Sequence, residues 1–229
     1  PLAAKLVADF VPQELEVKLG EQTLTSIDHG FCAPSKLGAA RQQSLRDSFG
    51  ALTAGLGDGY RYRLEMRLCR KLGPNAFALP GGTIVLTDEL VELAQNNAQL
   101  SAVLAHEIGH VRYRHGLRQA LQAAGLAALI ATLADDAESI TNLAAALPTM
   151  LLQIGYSRDF ENESDGYAFE RLKEIGLSPK YFAEIITRLE RHRNNGTDPN
   201  RTAGNGRTFD YLSTHPTTAR RVERALAIQ

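Results

Sequence analysis

Leu104-Ala105-His106-Glu107-Ile108-Gly109-His110 is the stretch on which the reading of this chain turns. Residues four apart on an α-helix share a face, so His106 and His110 can present two imidazoles to one ion. Glu107 sits about 100° around from His106, near enough to reach a water beside that ion without being forced to bind it. Leu100, Val103, Leu104, Ile108 and Val111 make the same helix largely buried. A His-Glu-His cluster among such residues is costly unless it has a partner, and a metal ion is the partner that fits.

The spacing is that of HExxH zinc hydrolases, in which the Glu serves as base. A catalytic zinc takes three protein ligands plus water, so a third ligand is required. The metzincin pattern would place Gly at 113 and His at 116, where the chain has Tyr113 and Gly116. His115 follows His110 by five residues and, on a continuous helix, points to another face. Glu161-Asn162-Glu163-Ser164-Asp165 supplies the alternative. Glu161 and Asp165 share a helix face, so Glu161 can ligate while Asp165 accepts the outer N–H of a ligand histidine. Glu163 lies about 200° from Glu161 and is the weaker candidate. Three acids in five residues would otherwise read as a solvated face. Beside a histidine pair that lacks its third ligand, they read as part of a metal site. One Zn2+ per chain is expected, held by His106, His110 and Glu161, with Glu107 taking the proton of the activated water.

The rest of the chain is ordinary globular sequence. It has 229 residues, 44% hydrophobic and 22% charged, which argues for one domain over residues 1–229 and against disorder or a coiled coil. Its 25 Lys and Arg balance 26 Asp and Glu, so the basic excess of a nucleic-acid protein is missing. Residues 12–57 read as helices, PQELEVKLGEQTLTSI and then APSKLGAARQQSLRDSFGALTAGL. Residues 60–69 alternate with period two, and 75–79 and 83–86 are β-prone, so a small sheet is expected within 60–86. Helices follow: 98–115 with Asn97 as cap and Gly116 as stop, 158–175, one opened by Ser178-Pro179, and 216–228. The whole is α+β and mostly helical. Residues 117–155 are apolar but interrupted by Asp135, Asp136, Glu138 and Pro148. They suit core helices, a lid over the cleft or a membrane-facing surface, and the longest apolar run, 123–134, is too short to cross a bilayer. Cys32 and Cys69 are too few for a disulfide scaffold and are either bridged or free. The start at Pro1 implies a trimmed N-terminus, with any signal peptide upstream.

Taken in order, His106-Glu107-Ile108-Gly109-His110, Glu161-xxx-Asp165, Asn75-Ala76-Phe77-Ala78-Leu79-Pro80-Gly81-Gly82, Ser213-Thr214-His215-Pro216 and Glu16-x-x-Leu19-Gly20 resemble the M48 zinc metallopeptidases. This family includes the HtpX type and the CAAX prenyl proteases, and the chain is most similar to its periplasmic BepA-like branch. The resemblance implies a gluzincin-type, zincin-like domain that cleaves polypeptides, unfolded or misfolded proteins in particular, in cell-envelope quality control. It implies Asn75, Ala76, Phe77 and Ala78 as an edge strand to which a substrate adds as a further strand. It implies that His215 approaches the metal, either supporting the oxyanion or closing the site in a latent, chaperone-like state, and that Arg220 supports Asp165 or the oxyanion. An extracytoplasmic home, lipid anchoring through a removed N-terminus and peripheral membrane association are further expectations from the branch.

Overall fold

The computed structural model of the chain describes residues 2–134, 155–195, 211–216 and 219–228. Helix α1 (Leu2–Phe10) comes first, then α2 (Gln13–Gly30), which Pro12 precedes. Strand β1 (Ala33–Pro34), α3 (Ala39–Thr53), β2 (Arg63–Leu68), β3 (Ala76–Ala78) and β4 (Thr83–Thr87) follow, with a 3-10 turn at Pro80–Gly82 between β3 and β4. The remaining elements are α4 (Asp88–Leu93), α5 (Asn97–Arg112), α6 (His115–Ala134), α7 (Arg158–Glu174), α8 (Lys180–Asn195), α9 (Tyr211–Thr214) and α10 (Ala219–Ala227). The described residues form the mostly helical α+β fold expected from the sequence.

The sheet order is β1-β2-β4-β3. Strands β2 and β4 run parallel, from Arg63 opposite Thr83 to Arg67 opposite Thr87, while β1 and β3 lie antiparallel at the two edges. Every residue of β4 is buried, as in a strand covered on both faces. Helix α5 is its counterpart: all residues from Gln99 to Val111 are buried, so it runs through the core rather than along the surface. Leu100, Leu104 and Ile108 of α5, Ile84 and Leu86 of β4, Phe169 of α7 and Phe182 and Ile186 of α8 belong to one apolar cluster. The histidine pair is therefore fixed at the centre of the molecule.

Several boundaries differ from the sequence reading. Ala33–Pro34 pairs with Leu68 and Arg67 of β2 and is not helical, and α3 begins only at Ala39. Proline is tolerated there because β1 is an edge strand and needs no second ladder. Cys32 and Cys69 form a disulfide at the end of this pair, Cα–Cα 4.3 Å. Asn96, rather than Asn97, caps α5, its side chain accepting the Gln99 N–H at 3.0 Å. That helix stops at Arg112, and Gly116 lies inside α6. His215 and Pro216 follow the short α9, and α10 is described from Ala219; the start expected at Pro216 involves residues 217 and 218, which lie outside the described residues. The expected interruptions at Asp135, Asp136, Glu138 and Pro148 and the lid placed there lie outside the described residues.

Candidate metal centre

Helices α5 and α7 bring the site together. Ser157 caps α7 by accepting the Phe160 N–H at 3.3 Å, and Glu161 falls in the first turn, where the helix dipole favours an acid. Gly109 allows the two helices to touch: a Cβ there would lie 2.9 Å from the Ser164 Cα and 3.1 Å from its carbonyl oxygen. This contact sets Glu161 between the two imidazoles. His110 Nε2 is 2.9 Å from His106 Nε2 and 3.3 Å from Glu161 Oε1, and His106 Nε2 is 3.6 Å from Glu161 Oε2. His215 joins from the turn after α9, its Nδ1 being 3.4 Å from His106 Nε2 and 3.1 Å from Glu161 Oε1. All four side chains are buried, and one ligand atom of each lies within 4.8 Å of the others.

These donors fit zinc. Zinc–ligand bonds of about 2.0–2.1 Å in a tetrahedron put neighbouring donor atoms about 3.3 Å apart, which is the scale of the observed spacings. The opposite ring nitrogens have partners outside the cluster. His106 Nδ1 faces Asp165 Oδ1 at 3.0 Å, and His110 Nδ1 is 2.9 Å from His115 Nδ1. A proton on each of these outer nitrogens leaves both Nε2 lone pairs pointing at the centre, as a metal-binding histidine requires. Arg221 secures the acids, with Nε and a terminal nitrogen 2.7 and 2.8 Å from the two Asp165 oxygens and its other terminal nitrogen 2.5 Å from Glu161 Oε2.

Glu107 stands beside the cluster and is fully buried. Its Oε2 accepts the Ala78 N–H of β3 at 2.9 Å, while Oε1 has no hydrogen bond among the described residues and lies 3.5 Å from His215 Nε2. A buried carboxylate oxygen without a donor is a place for a water. Burial raises the Glu107 pKa, more than the opposing fields of His215 and His106 lower it. Burial would raise Glu161 too, but His215 and His106 bring it well below the usual carboxylate value. For Asp165, burial is likewise outweighed, by His106 and Arg221, and its pKa falls. Burial takes His110 well below the usual histidine value, which favours its neutral form.

The expected metal-binding residues and Glu107 thus converge, but Asn75 precedes β3 and turns its carbonyl to Thr87 rather than to the outer edge, and Arg220 stands apart. Arg220 is exposed on α10 and touches neither Asp165 nor Glu161; Arg221 does both. The α-helix turns each residue by about 100°, so a one-residue difference decides between solvent and core. Strand β3 is the sheet edge beside α5, and Ala76, Phe77 and Ala78 form it. Leu79 N–H bonds Thr83 C=O and Thr87 N–H bonds Asn75 C=O, so the backbone groups of Ala76 and Ala78 face away from β4. The Phe77 side chain packs near Ile27, Leu79 and Val85 instead.

The sequence profile of peptidase family M48 matches residues 39–229. The chain belongs to peptidase family M48. Members of the family use zinc, in agreement with the donor set. This M48 chain is 29% identical over 168 residues to the mitochondrial metalloendopeptidase OMA1 of Saccharomyces cerevisiae, covering 72% of this chain and 46% of that protein. It is 36% identical over 125 residues to the putative beta-barrel assembly-enhancing protease of Vibrio cholerae and 29% over 126 to the beta-barrel assembly-enhancing protease of Escherichia coli, each covering 50% of this chain and 26% of the relative. The chain therefore spans less than half the length of these curated relatives.

The sequence reading missed His115, Tyr156 and Tyr211. The Tyr156 ring stacks on His110 with centroids 3.9 Å apart, and the Tyr211 ring stacks on His215 at 4.4 Å. His115 was expected on another face, yet it reaches His110, because α5 ends before it and Arg114 adopts φ 55°. Glu163, the weaker ligand candidate, accepts from His115 Nε2 at 2.8 Å. Burial lowers the His115 pKa to about 4, keeping it neutral. The neighbouring pair Arg114-His115 was the signal available, but no spacing rule marks it.

Proposed function

We propose that this chain is a zinc metalloendopeptidase, with His106, His110 and Glu161 as ligands and Glu107 as general base. The observation that carries this reading is the buried convergence of His106, His110 and Glu161, with Glu107 buried beside them and its Oε1 without a hydrogen bond among the described residues. Zinc held there supplies Lewis acidity to polarise a peptide carbonyl and acidify water. Glu107 takes the proton of the attacking water at Oε1 and delivers it to the leaving nitrogen. The Ala78 N–H fixes the other oxygen and so the direction of the lone pair. Asp165 and Arg221 hold His106 and Glu161 against rotation. The outward N–H groups of Ala76 and Ala78 are held by Asn75 Oδ1 and Glu107 Oε2, so a substrate strand would pair with the outward carbonyls of these residues, which would bring its scissile bond past Glu107. Unfolded or misfolded proteins suit that mode, since an edge strand reads backbone. The Cys32–Cys69 disulfide supports an oxidising, extracytoplasmic location. Among the described residues, no helix is long and apolar enough to cross a membrane.

A second reading rests on His215. Its Nδ1 stands among the ligand atoms, and four protein ligands close a zinc site. The arrangement then corresponds to a latent form, from which His215 must withdraw before a substrate enters. The test is cleavage of an unfolded protein by zinc-loaded wild type, Glu107→Gln and His215→Ala. Cleavage by wild type and a loss of about 10²-fold or more in Glu107→Gln at equal zinc content supports the peptidase mechanism. Zinc binding without cleavage by wild type, with cleavage restored in His215→Ala, supports latency. Zinc binding without cleavage by any variant refutes the peptidase reading.

A further inference from the structure

We infer that the two N-terminal helices clamp the metal site through Arg114, which aims His115 at the outer nitrogen of His110 and makes Arg114 a positioning residue. This rests on the zinc reading of the ligand set but not on peptidase activity.

Arg114 occupies the short link between α5 and α6, and it is the one non-glycine residue with positive φ among those described. A side chain there meets its own backbone, so the conformation persists only where the surroundings hold it. The surroundings are α1 and α2. The guanidinium donates to the carbonyls of Ala8 at 2.6 Å and Val11 at 2.8 Å, and Nε donates to Glu16 Oε2 at 3.2 Å. Glu16 is itself buried and takes the Tyr60 hydroxyl at 3.0 Å. One planar fork thus ties the end of α1, the link to α2 and the first turn of α2 to a single residue beside the metal helix. All three anchoring positions precede residue 39, where the family match begins.

The turn at Arg114 has a direct result. His115 would face away on a continuous helix, but here its ring is wedged beside Phe160 at 4.2 Å with planes 7° apart. Glu163 accepts from Nε2 at 2.8 Å, which places the proton on that nitrogen. Nδ1 is then a lone-pair acceptor 2.9 Å from His110 Nδ1, and it takes the proton there. Arg118 also binds Glu163, at 3.1 Å, and keeps it charged. The protons on His115 Nε2 and His110 Nδ1 therefore both point outward from the metal, toward Glu163 and His115, and His110 Nε2 is left bare toward it. Such outer partners of metal-binding histidines are each worth about 10–100-fold in metal affinity.

The test is zinc affinity, measured by chelator competition, in a double-mutant cycle. Arg114→Gly keeps the left-handed turn accessible but removes the fork; His115→Ala removes the relay. His115→Ala should weaken zinc about 10–100-fold, and Arg114→Gly about 10-fold. Added to His115→Ala, Arg114→Gly should cost less than about twofold more, since its route to the metal is already gone. Glu16→Gln is the milder variant should Arg114→Gly fail to fold; its smaller loss must also vanish in the His115→Ala background. A purely structural Arg114 would lower the melting temperature and leave the zinc affinity of the folded protein unchanged, overturning the clamp. Losses that multiply fully in the double variant overturn it too. A wild type that binds no zinc overturns the ligand reading and the clamp together.

Discussion

Replacing Gly20 with Ala separates helix propensity from packing. Gly20 lies within α2 and is buried against the turn that follows β3. An added Cβ would stand 2.0 Å from the Pro80 carbonyl oxygen and 3.1 Å from its carbon. Ordinary contact begins near 3.4 Å, so the two backbones must part by more than an ångström. They cannot do so freely, because Gly81 in the same turn already abuts Val17, where its own Cβ would lie 2.5 Å from the Val17 Cα. Ala is better than Gly in a helix by about 1 kcal/mol. Overpacking costs about 1–3 kcal/mol, and the upper end applies where the obstacle is backbone. The net loss is about 2 kcal/mol, a fall in Tm of about 4–8 °C for a chain of this size. Gly50 in α3 is the control: it is exposed, and nothing lies within 4 Å of its added Cβ. Gly50→Ala should raise Tm by up to about 2–4 °C. Calorimetric melts at fixed pH and zinc concentration decide the matter. A Gly20→Ala protein as stable as wild type would refute the close approach of α2 to the turn.

Three other outcomes are expected. Reducing the Cys32–Cys69 bridge, which spans 37 residues of sequence, should cost about 4 kcal/mol by loop closure, read as a lower denaturant midpoint with reductant; a loss under about 1 kcal/mol would contradict this. Arg221→Ala should destabilise by about 3–5 kcal/mol because it strands the buried Asp165 and Glu161, while Arg220→Ala stays within about 0.5 kcal/mol in the same urea titration. Burial raises the Glu16 pKa above its ordinary 4.5, more than Arg114 and Tyr60 lower it. The folded state then holds more protons than the unfolded one between those two values, so stability falls as pH rises through that window. Glu16→Gln should remove this slope, and a wild-type curve parallel to the variant's from pH 4.5 upward would contradict the shift.

The residues proposed as metal ligands were legible because their geometry is local. His106 and His110 need only the helix period, and Glu161 and Asp165 need only the same period on a second helix. Glu107 follows from the motif. What escaped depends on contacts between distant segments. His115 reaches His110 only because Glu16 and two N-terminal carbonyls hold Arg114 in an unfavoured turn, and no local pattern announces that. Arg221 displaced Arg220 because the register of a helix after Pro216 follows from where it begins, and spacing from His215 does not fix that. Ala33–Pro34 was read as helix because a two-residue strand carries no periodicity; it exists through its pairing with Leu68 and Arg67.

The Cys32–Cys69 bridge joins a residue outside the family match to one within it. Common descent marks a unit beginning at residue 39, whereas covalent chemistry does not respect that border. A chain cut there would carry Cys69 as an unpaired thiol beside a sheet stripped of its outer strand. In an oxidising medium two such chains join through that sulfur, so a trimmed protein would answer questions about a dimer of fragments rather than about the intact chain.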